Sequence, residues 1–431
     1  MAQQILRSWG RVLAAPADVV DMPAAAAPFP ALPAGSSSLL PFGKGRSYGD
    51  SCLNPGGALL RTKNLDHFIS FDKDTGILVC EAGVQLADIL RVIVPQGWFL
   101  PVTPGTRFVT VGGAIANDVH GKNHHRNGAF GCHVRRFELL RSNNERLICS
   151  AEENADWFSA TIGGIGLTGL ITWVELQMQP ISGPWMDVET LHFSSLDEFG
   201  KLTAESDSRF EYVVAWLDCS DAVGRGIFFR ANHSAETEQY KKPLCLSLPV
   251  VPPVSFVNNL SIKLFNTLYN KKSDGSSRAH YEPFFYPLDG VGNWNRIYGP
   301  KGFYQYQCVI PARHGLAPIQ EMLAAVSKNG MSSFLSVLKG FGSKPSPGMM
   351  SFPCEGVTLA LDFANTGASV QRLFAALDEI VAGVDGRLYP AKDGRMSGAL
   401  FRAGYPVLEK FSTFVDPAFS SGFWRRVMEG K

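Results

Sequence analysis

The side chains able to do chemistry gather in three short strings. Gly43-Lys-Gly-Arg-Ser-Tyr-Gly-Asp50 sets Arg46, Ser47 and Tyr48 among glycines. Val111-Gly-Gly-Ala-Ile-Ala-Asn-Asp-Val-His-Gly-Lys-Asn-His-His125 runs a glycine-rich loop directly into His120, and Tyr389-Pro-Ala-Lys-Asp-Gly-Arg395 forms a polar cluster around Lys392. Glycine-rich segments can bring bare backbone N–H groups to a phosphate. The approach to the second loop, Pro104-Gly-Thr-Arg-Phe-Val-Thr-Val-Gly-Gly113, adds threonine hydroxyls and further amides suited to a pyrophosphate. Neither loop has the lysine–serine end of a P-loop, and neither opens a strand-to-helix nucleotide fold. Two such loops imply a large phosphate-bearing cofactor held by loops, with His120 delivered beside it. His120 and Lys392 are the candidate bases, since each titrates usefully when partly buried. Lys392 can instead offset negative charge on a reduced cofactor, or be an ordinary surface lysine.

Other motifs carry less. Gly164-Ile-Gly-Leu-Thr-Gly169 matches the dinucleotide fingerprint, which requires a strand before it and a helix after it. Here a helix precedes (Ala155–Thr161) and a strand follows (169–177), so these glycines serve tight turns and close backbone approach. His120 and His124 have the spacing of two metal ligands on a helical face, but Gly121 and Asn123 are poor helix formers and no carboxylate lies within His120–His125; no metal is expected. His124, His125 and His133 can equally be structural, with rings bonded to backbone.

The elements that must position these residues are short and mixed. Residues 1–38 read as an irregular lead-in rich in Ala and Pro. Ala58–Arg61, 68–71 and 76–80 read as strands, 85–93 as a helix, and 137–141 with 145–149 as a hairpin. After Pro180 a new set of strands begins, at Tyr212–Leu217, 226–230, 304–310, 334–338 and 357–363, with a helix over 369–382. The sequence predicts an α+β fold, with a first domain over 1–183 completed by 387–431 and a second over 184–386.

Lys+Arg is 40 and Asp+Glu 39, so the formal charge is +1, which argues against a chain built mainly to bind nucleic acid. The eight cysteines are scattered without a C-x-x-C pair, the usage of free core thiols in a reducing compartment. No stretch is long and apolar enough to span a membrane, and no secretory signal is evident. One insert stands out. Residues 244–257 are apolar yet broken by Pro249, Pro252 and Pro253. Amphipathic 260–268 follows, then a polar break over 271–278, with Lys241, Lys242, Lys271 and Lys272 flanking. Such a segment can lie at a bilayer surface, cover a pocket as a flap, or form a loop.

Gly45-Arg-Ser-Tyr-Gly-Asp50, Pro104-Gly-Thr-Arg107, Thr110-Val-Gly-Gly-Ala-Ile-Ala116, His120-Gly-Lys-Asn-His-His125 and Gly166-Leu-Thr-Gly169 occur in this order. In that order they resemble the FAD-binding half of the vanillyl-alcohol-oxidase, or PCMH-type, flavoproteins. Within that superfamily nearly the whole chain resembles the decaprenylphosphoryl-β-D-ribose 2-oxidases, through Trp216, Tyr304-Gln-Tyr-Gln307, Phe334-Leu-Ser-Val-Leu-Lys339 and Tyr389-Pro-Ala-Lys-Asp393. The resemblance implies a two-subdomain FAD-binding domain and a substrate domain with a large antiparallel sheet flanked by helices. It implies FAD contacts from Pro41, Gly43, Gly45, Arg46, Ser47, Tyr48, Gly49, Asp50, Gly105, Thr110, Val111, Gly112, Gly113, Asn117, His120, Ile171, Tyr389 and Lys392. It also implies that Trp216, Gln305, Gln307 and Lys339 line a substrate pocket, and that Lys392, His120 and Tyr48 serve the chemistry. Arg46 stands where many relatives carry a flavin-bonding histidine, so FAD is expected to be non-covalent. Ala360 replaces a cysteine that a relative presents to covalent inhibitors. The implied reaction is oxidation of the C2 hydroxyl of a polyprenyl-phosphoryl ribose to the 2-keto sugar. A separate NAD(P)H-dependent short-chain reductase would complete epimerisation to an arabinose donor for cell-envelope glycan. The implied location is cytoplasmic or peripheral at the inner membrane, with the periplasmic face open. An aldonolactone- or alditol-type oxidase using O2 is the alternative, and a flavin-free scaffold subunit a third reading.

Overall fold

A computed structural model of the chain describes residues 4–219, 222–241 and 243–429; Lys242, one of the four lysines flanking the insert, lies outside them. The fold is α+β, built on three large sheets, with two further two-stranded pairs among the described residues. The first has four strands in the order Gln4–Arg7, Ala14–Asp21, Ala58–Arg61 and Leu39–Phe42, and is mixed: the first pair is antiparallel, the rest parallel. The expected irregular lead-in is therefore half of a sheet. Ala15 and Ala17 turn into the core while Pro16 does not, a period-two burial that the low strand preference of Ala and Pro concealed.

The second sheet is antiparallel throughout, in the order Phe68–Asp72, Ile77–Glu81, Leu170–Gln177, Val134–Leu140 and Arg146–Ser150. Helices Leu86–Ile93 and Val111–Ala116 pack on it through Leu86, Ile89, Leu90, Ile93, Val111, Ala114 and Ile115, all fully buried. Of the motif glycines Gly164, Gly166 and Gly169, the last two have positive φ, as does the preceding Gly163; the segment lies between helix Ala155–Thr161 and strand Leu170–Gln177, so it is a turn in the reverse of the dinucleotide context.

The third sheet has eight antiparallel strands in the order Gly275–His280, Trp185–Phe193, Gly226–Ser234, Tyr212–Leu217, Ser336–Phe341, Gly356–Ala364, Phe303–Pro311 and Arg387–Leu388. The polar break expected over 271–278 overlaps its exposed edge strand Gly275–His280. The strand read at 334–338 runs instead over Ser336–Phe341. Side chains alternate across the sheet. Tyr306, Leu359 and Leu361 meet helices Ala317–Lys328 and Ala368–Gly383 through Ile319, Met322, Leu373 and Phe374. Gln305, Gln307, Val337, Lys339, Thr358 and Ala360 point to the opposite face and line a cavity.

Candidate active site

That cavity has a volume of about 340 Å³ and lies between the eight-stranded sheet and the two glycine-rich loops. Strand Leu39–Phe42 delivers the first loop. The backbone N–H groups of Lys44, Gly45, Arg46 and Ser47 donate to no acceptor among the described residues, so they remain available to a ligand. Gly45 has φ +60, a left-handed conformation that favours glycine. The second loop differs from the sequence expectation. Its amides are not free: Val111 donates to Val84, Gly112 to Ala82, and Gly113 to the Thr110 hydroxyl that caps helix Val111–Ala116. Its glycines give room instead. A Cβ on Gly112 would meet Ala82 at 3.0 Å, and one on Gly43 would meet the Thr110 hydroxyl at 2.4 Å, so the two loops close on each other through missing side chains. A Cβ at Gly105 would meet nothing within 4 Å, which leaves its backbone open to the cavity. Free amides in one loop and bare backbone in the other form a cradle that fits the pyrophosphate of FAD.

The first loop is tied to the turn that carries Lys392. Tyr48 N–H donates to Ala391 C=O at 2.9 Å. The Lys392 ammonium sits 3.9 Å from the centre of the Tyr48 ring, a cation–π contact. Arg426 of the helix Gly422–Glu429 holds Asp50 at 2.7 Å and Asp393 at 2.9 Å, clamping the loop and the turn together. Asp393 also accepts the N–H groups of Arg395 and Met396. Asp50 is thus engaged by Arg426, and Gly49 packs on the Asp393 backbone; with Val111, neither lines the cavity.

The polar wall comes from the sheet. Gln307 donates its amide N–H to His120 Nε2 at 2.9 Å and to Thr358 at 3.3 Å. That bond leaves the His120 proton on Nδ1, which has no partner. Burial, together with the nearby Lys339, His124 and Lys392 charges, holds the ring neutral. Gln305 donates to Asp362 Oδ1 at 2.5 Å, and Oδ2 is buried without a partner. Burial raises the Asp362 carboxyl and lowers the Lys392 ammonium, each opposed by the other's charge. Burial and the Lys122 and Lys392 charges push Lys339 down to about 7; burial alone pushes Lys122 down to about 8.

Of the other residues expected from the sequence, Pro41, Gly43, Gly45, Ser47, Gly105, Asn117 and Ile171 line the cavity. Arg46 lines it with its guanidinium 4.0 Å over the Trp9 ring. Tyr389 donates to Asn117 C=O at 2.8 Å. Trp216 does not line it: its ring packs 4.9 Å from Tyr269 of helix Asn259–Tyr269, with its N–H buried and unpartnered. His125 and His133 bond backbone carbonyls of Phe210 and Asn127.

Asp362, Lys122 and Asp289 were not singled out from sequence. Asp362 could have been found, since it is the one acid in the apolar alternation 357–363 and shares the face of Thr358 and Ala360. Lys122 lay inside the His120–His125 string, overshadowed by histidines. Asp289, which accepts the Arg107 N–H at 2.9 Å, gave no signal.

The comparisons agree with this geometry. The profile of an FAD binding domain matches residues 32–150. The decaprenylphosphoryl-β-D-ribose oxidase of Mycolicibacterium smegmatis is 35% identical, over 91% of this chain and 90% of its own length. A protein of Streptomyces coelicolor described as an uncharacterized protein in the mprA 5′ region is 30% identical, over 80% of this chain and all of its own. A putative D-arabinono-1,4-lactone oxidase of Neurospora crassa is 32% identical over 27% of this chain. The chain is an FAD-dependent oxidoreductase, and it belongs to the decaprenylphosphoryl-β-D-ribose oxidase family of PCMH-type flavoproteins.

Proposed function

We propose that this chain oxidises the C2 hydroxyl of a polyprenyl-phosphoryl ribose to the 2-keto sugar. The carrying observation is the position of Lys392: a lysine at the cavity wall, held over Tyr48, with a buried carboxylate behind it. Bound FAD supplies the acceptor for the two electrons and the hydrogen of the C–H bond. Residues 43–47, Gly105 and the loop 110–113 would hold it. Lys392, lowered by burial, takes the hydroxyl proton as a neutral amine. His120 is the weaker base of the two candidates, because Gln307 already occupies Nε2 and Nδ1 bears the proton. It fixes Gln307, which with Gln305 orients the sugar.

The assignment of 1–183 with 387–431 to the cofactor and 184–386 to the substrate follows the same reading. Attachment is non-covalent: Arg46 occupies the position of a bonding histidine and stacks on Trp9. Acid precipitation then releases all of the flavin to the supernatant. The keto product passes to a separate NAD(P)H-dependent reductase.

Among the described residues no helix is long and apolar enough to cross a membrane. The lipid is met instead at the insert. Leu244, Leu246, Val250, Val254, Phe256, Leu260, Leu264 and Leu268 are all exposed, Leu244 by 93% and Leu260 by 79%. Strand Leu246–Ser247 pairs with Val291–Gly292, and Val257 and Ile262 pack with Tyr48 and Trp294 of the cavity wall, so this apolar surface adjoins the cavity. So many exposed apolar side chains in one segment suit an interaction surface, and Lys241, Lys263, Lys271 and Lys272 suit it to anionic lipid.

The test is anaerobic flavin bleaching. Polyprenyl-phosphoryl ribose is expected to bleach the flavin. Bleaching by free alditols or lactones alone, with rapid peroxide in air, would instead establish the O2-using oxidase. Co-sedimentation with anionic vesicles checks the insert: equal soluble fractions for the intact chain and a 244–268 deletion remove the membrane contact.

A further inference from the structure

Three lysines, Lys122, Lys339 and Lys392, line one cavity. Among the described residues none has a carboxylate within ion-pair reach, although surface lysines of the same chain do, as Lys63 with Asp21 at 2.8 Å. Lys392 has the field of Asp362 and the face of Tyr48. For ring contact, Lys122 has only the more distant rings of Phe284 and Phe285, at 5.7 and 5.9 Å. The Lys122 ammonium donates to Phe285 C=O at 3.4 Å, and Lys339 to Gly121 C=O at 3.5 Å. Each ammonium carries three donors, so most of their hydrogen-bonding capacity is unspent.

Two neighbouring cations in a desolvated wall repel each other and cost free energy unless an anion joins them. Their acceptors fix where they stand: Gly121 and Lys122 are consecutive, and Lys339 leaves strand Ser336–Phe341 beside Thr358. The cofactor cradle has its own basic groups, Lys44 and Arg46, on the first loop. The Lys122 and Lys339 ammonium groups are anchored on Phe285 and Gly121, whereas the free amides that would take the pyrophosphate of FAD belong to the first loop, at residues 44–47.

We infer that Lys122 and Lys339 form an anion subsite of the substrate pocket, built to grip the phosphodiester that joins sugar to lipid. This rests on the substrate class proposed above. A phosphate between the two ammonium groups accepts charge-assisted hydrogen bonds from both and cancels their mutual repulsion. It restores to each lysine the charge that burial disfavours, consistent with the lowered proton affinity of both. The sugar then lies between this grip and Lys392, with Gln305 and Gln307 across it. The apolar chain leaves past Phe285, Pro287 and Leu288, which line the same cavity, toward Val291 and the exposed insert.

The test compares farnesyl phosphate with farnesol as ligands of the FAD-loaded protein, by isothermal titration calorimetry. The native protein is expected to prefer the phosphate by at least roughly tenfold, and Lys122→Met and Lys339→Met each to reduce that preference by roughly 10- to 100-fold. Methionine keeps the aliphatic stem and removes a buried charge, so both variants are expected to fold. Equal affinities for the two ligands in the native protein overturn the subsite. So does a preference that survives in the double variant. The readout does not depend on turnover. If polyprenyl-phosphoryl ribose fails to bleach the flavin while the variants still lose the phosphate preference, the substrate reading falls and the anion subsite stands.

Discussion

Substituting Gly49 by alanine tests the packing that holds the candidate site together. Gly49 has φ −110 and ψ −144, outside the left-handed region, so the effect of alanine is dominated by what its Cβ meets. Its Cβ would lie 1.6 Å from the Asp393 carbonyl oxygen and 2.7 Å from Gly394 Cα. Ordinary contact needs about 3.4 Å, so the first loop and the Lys392 turn must part by nearly 2 Å. That separation breaks the Tyr48 N–H to Ala391 bond, which contributes about 1 kcal/mol, and adds an overpacking cost of about 1–3 kcal/mol. The total is about 2–4 kcal/mol. At about 2.1 cal/mol/K per residue, the 431-residue chain has an unfolding entropy near ~0.9 kcal/mol/K. The expected loss in Tm is then about 2–4 °C. The assays are thermal unfolding with and without FAD, and FAD titration of the apoprotein by flavin fluorescence. FAD affinity falls as well, because the displaced loop carries the free amides. A variant with unchanged Tm and unchanged FAD affinity would refute the contact, and with it the clamp between loop and turn.

Three further outcomes are expected. Gly105→Ala leaves the Tm of the apoprotein unchanged, since its Cβ meets no protein atom within 4 Å, but weakens FAD binding; unchanged FAD affinity would move the cofactor away from that loop. Activity rises with pH through the proton affinity of Lys392, which burial sets below the ordinary lysine range while Asp362 opposes the shift. Asp362→Asn removes that opposition and moves this rise to lower pH, as a kcat/KM profile would read, whereas an unmoved limb would remove Asp362 from the chemistry. Arg426→Met leaves Asp50 and Asp393 buried without their partner and costs about 3–5 kcal/mol, read as a fall in Tm; a fall below 1 °C would contradict the clamp.

That both loops face one cavity was legible because tight turns and close backbone approach show in sequence as ordered glycines. The strand over 304–310 was legible as such, and the resemblance, not the alternation, placed Gln305 and Gln307 on its cavity face. What escaped depends on pairing between distant segments. Asp362 meets Gln305 across a strand pair fifty-seven residues apart, and the Asp50–Arg426 contact spans nearly the whole chain. The N-terminal hairpin was hidden because Ala and Pro carry little strand preference, and neighbouring strands supplied it. The second loop's amides looked free because sequence cannot show that Val84 and Ala82 accept from them.

The clamp of Arg426 on Asp50 and Asp393 also sets an order of events. The cradle is read out from residues 41–50 early in synthesis, while its facing wall waits for 389–396 and the closing arginine for 426. A chain growing from its N-terminus displays the free amides of Lys44–Ser47 long before anything braces them. If residues 44–47 hold FAD as proposed, productive capture is expected only after residue 426 has emerged, and the yield of loaded protein is expected to fall the longer the unbraced loop stays exposed.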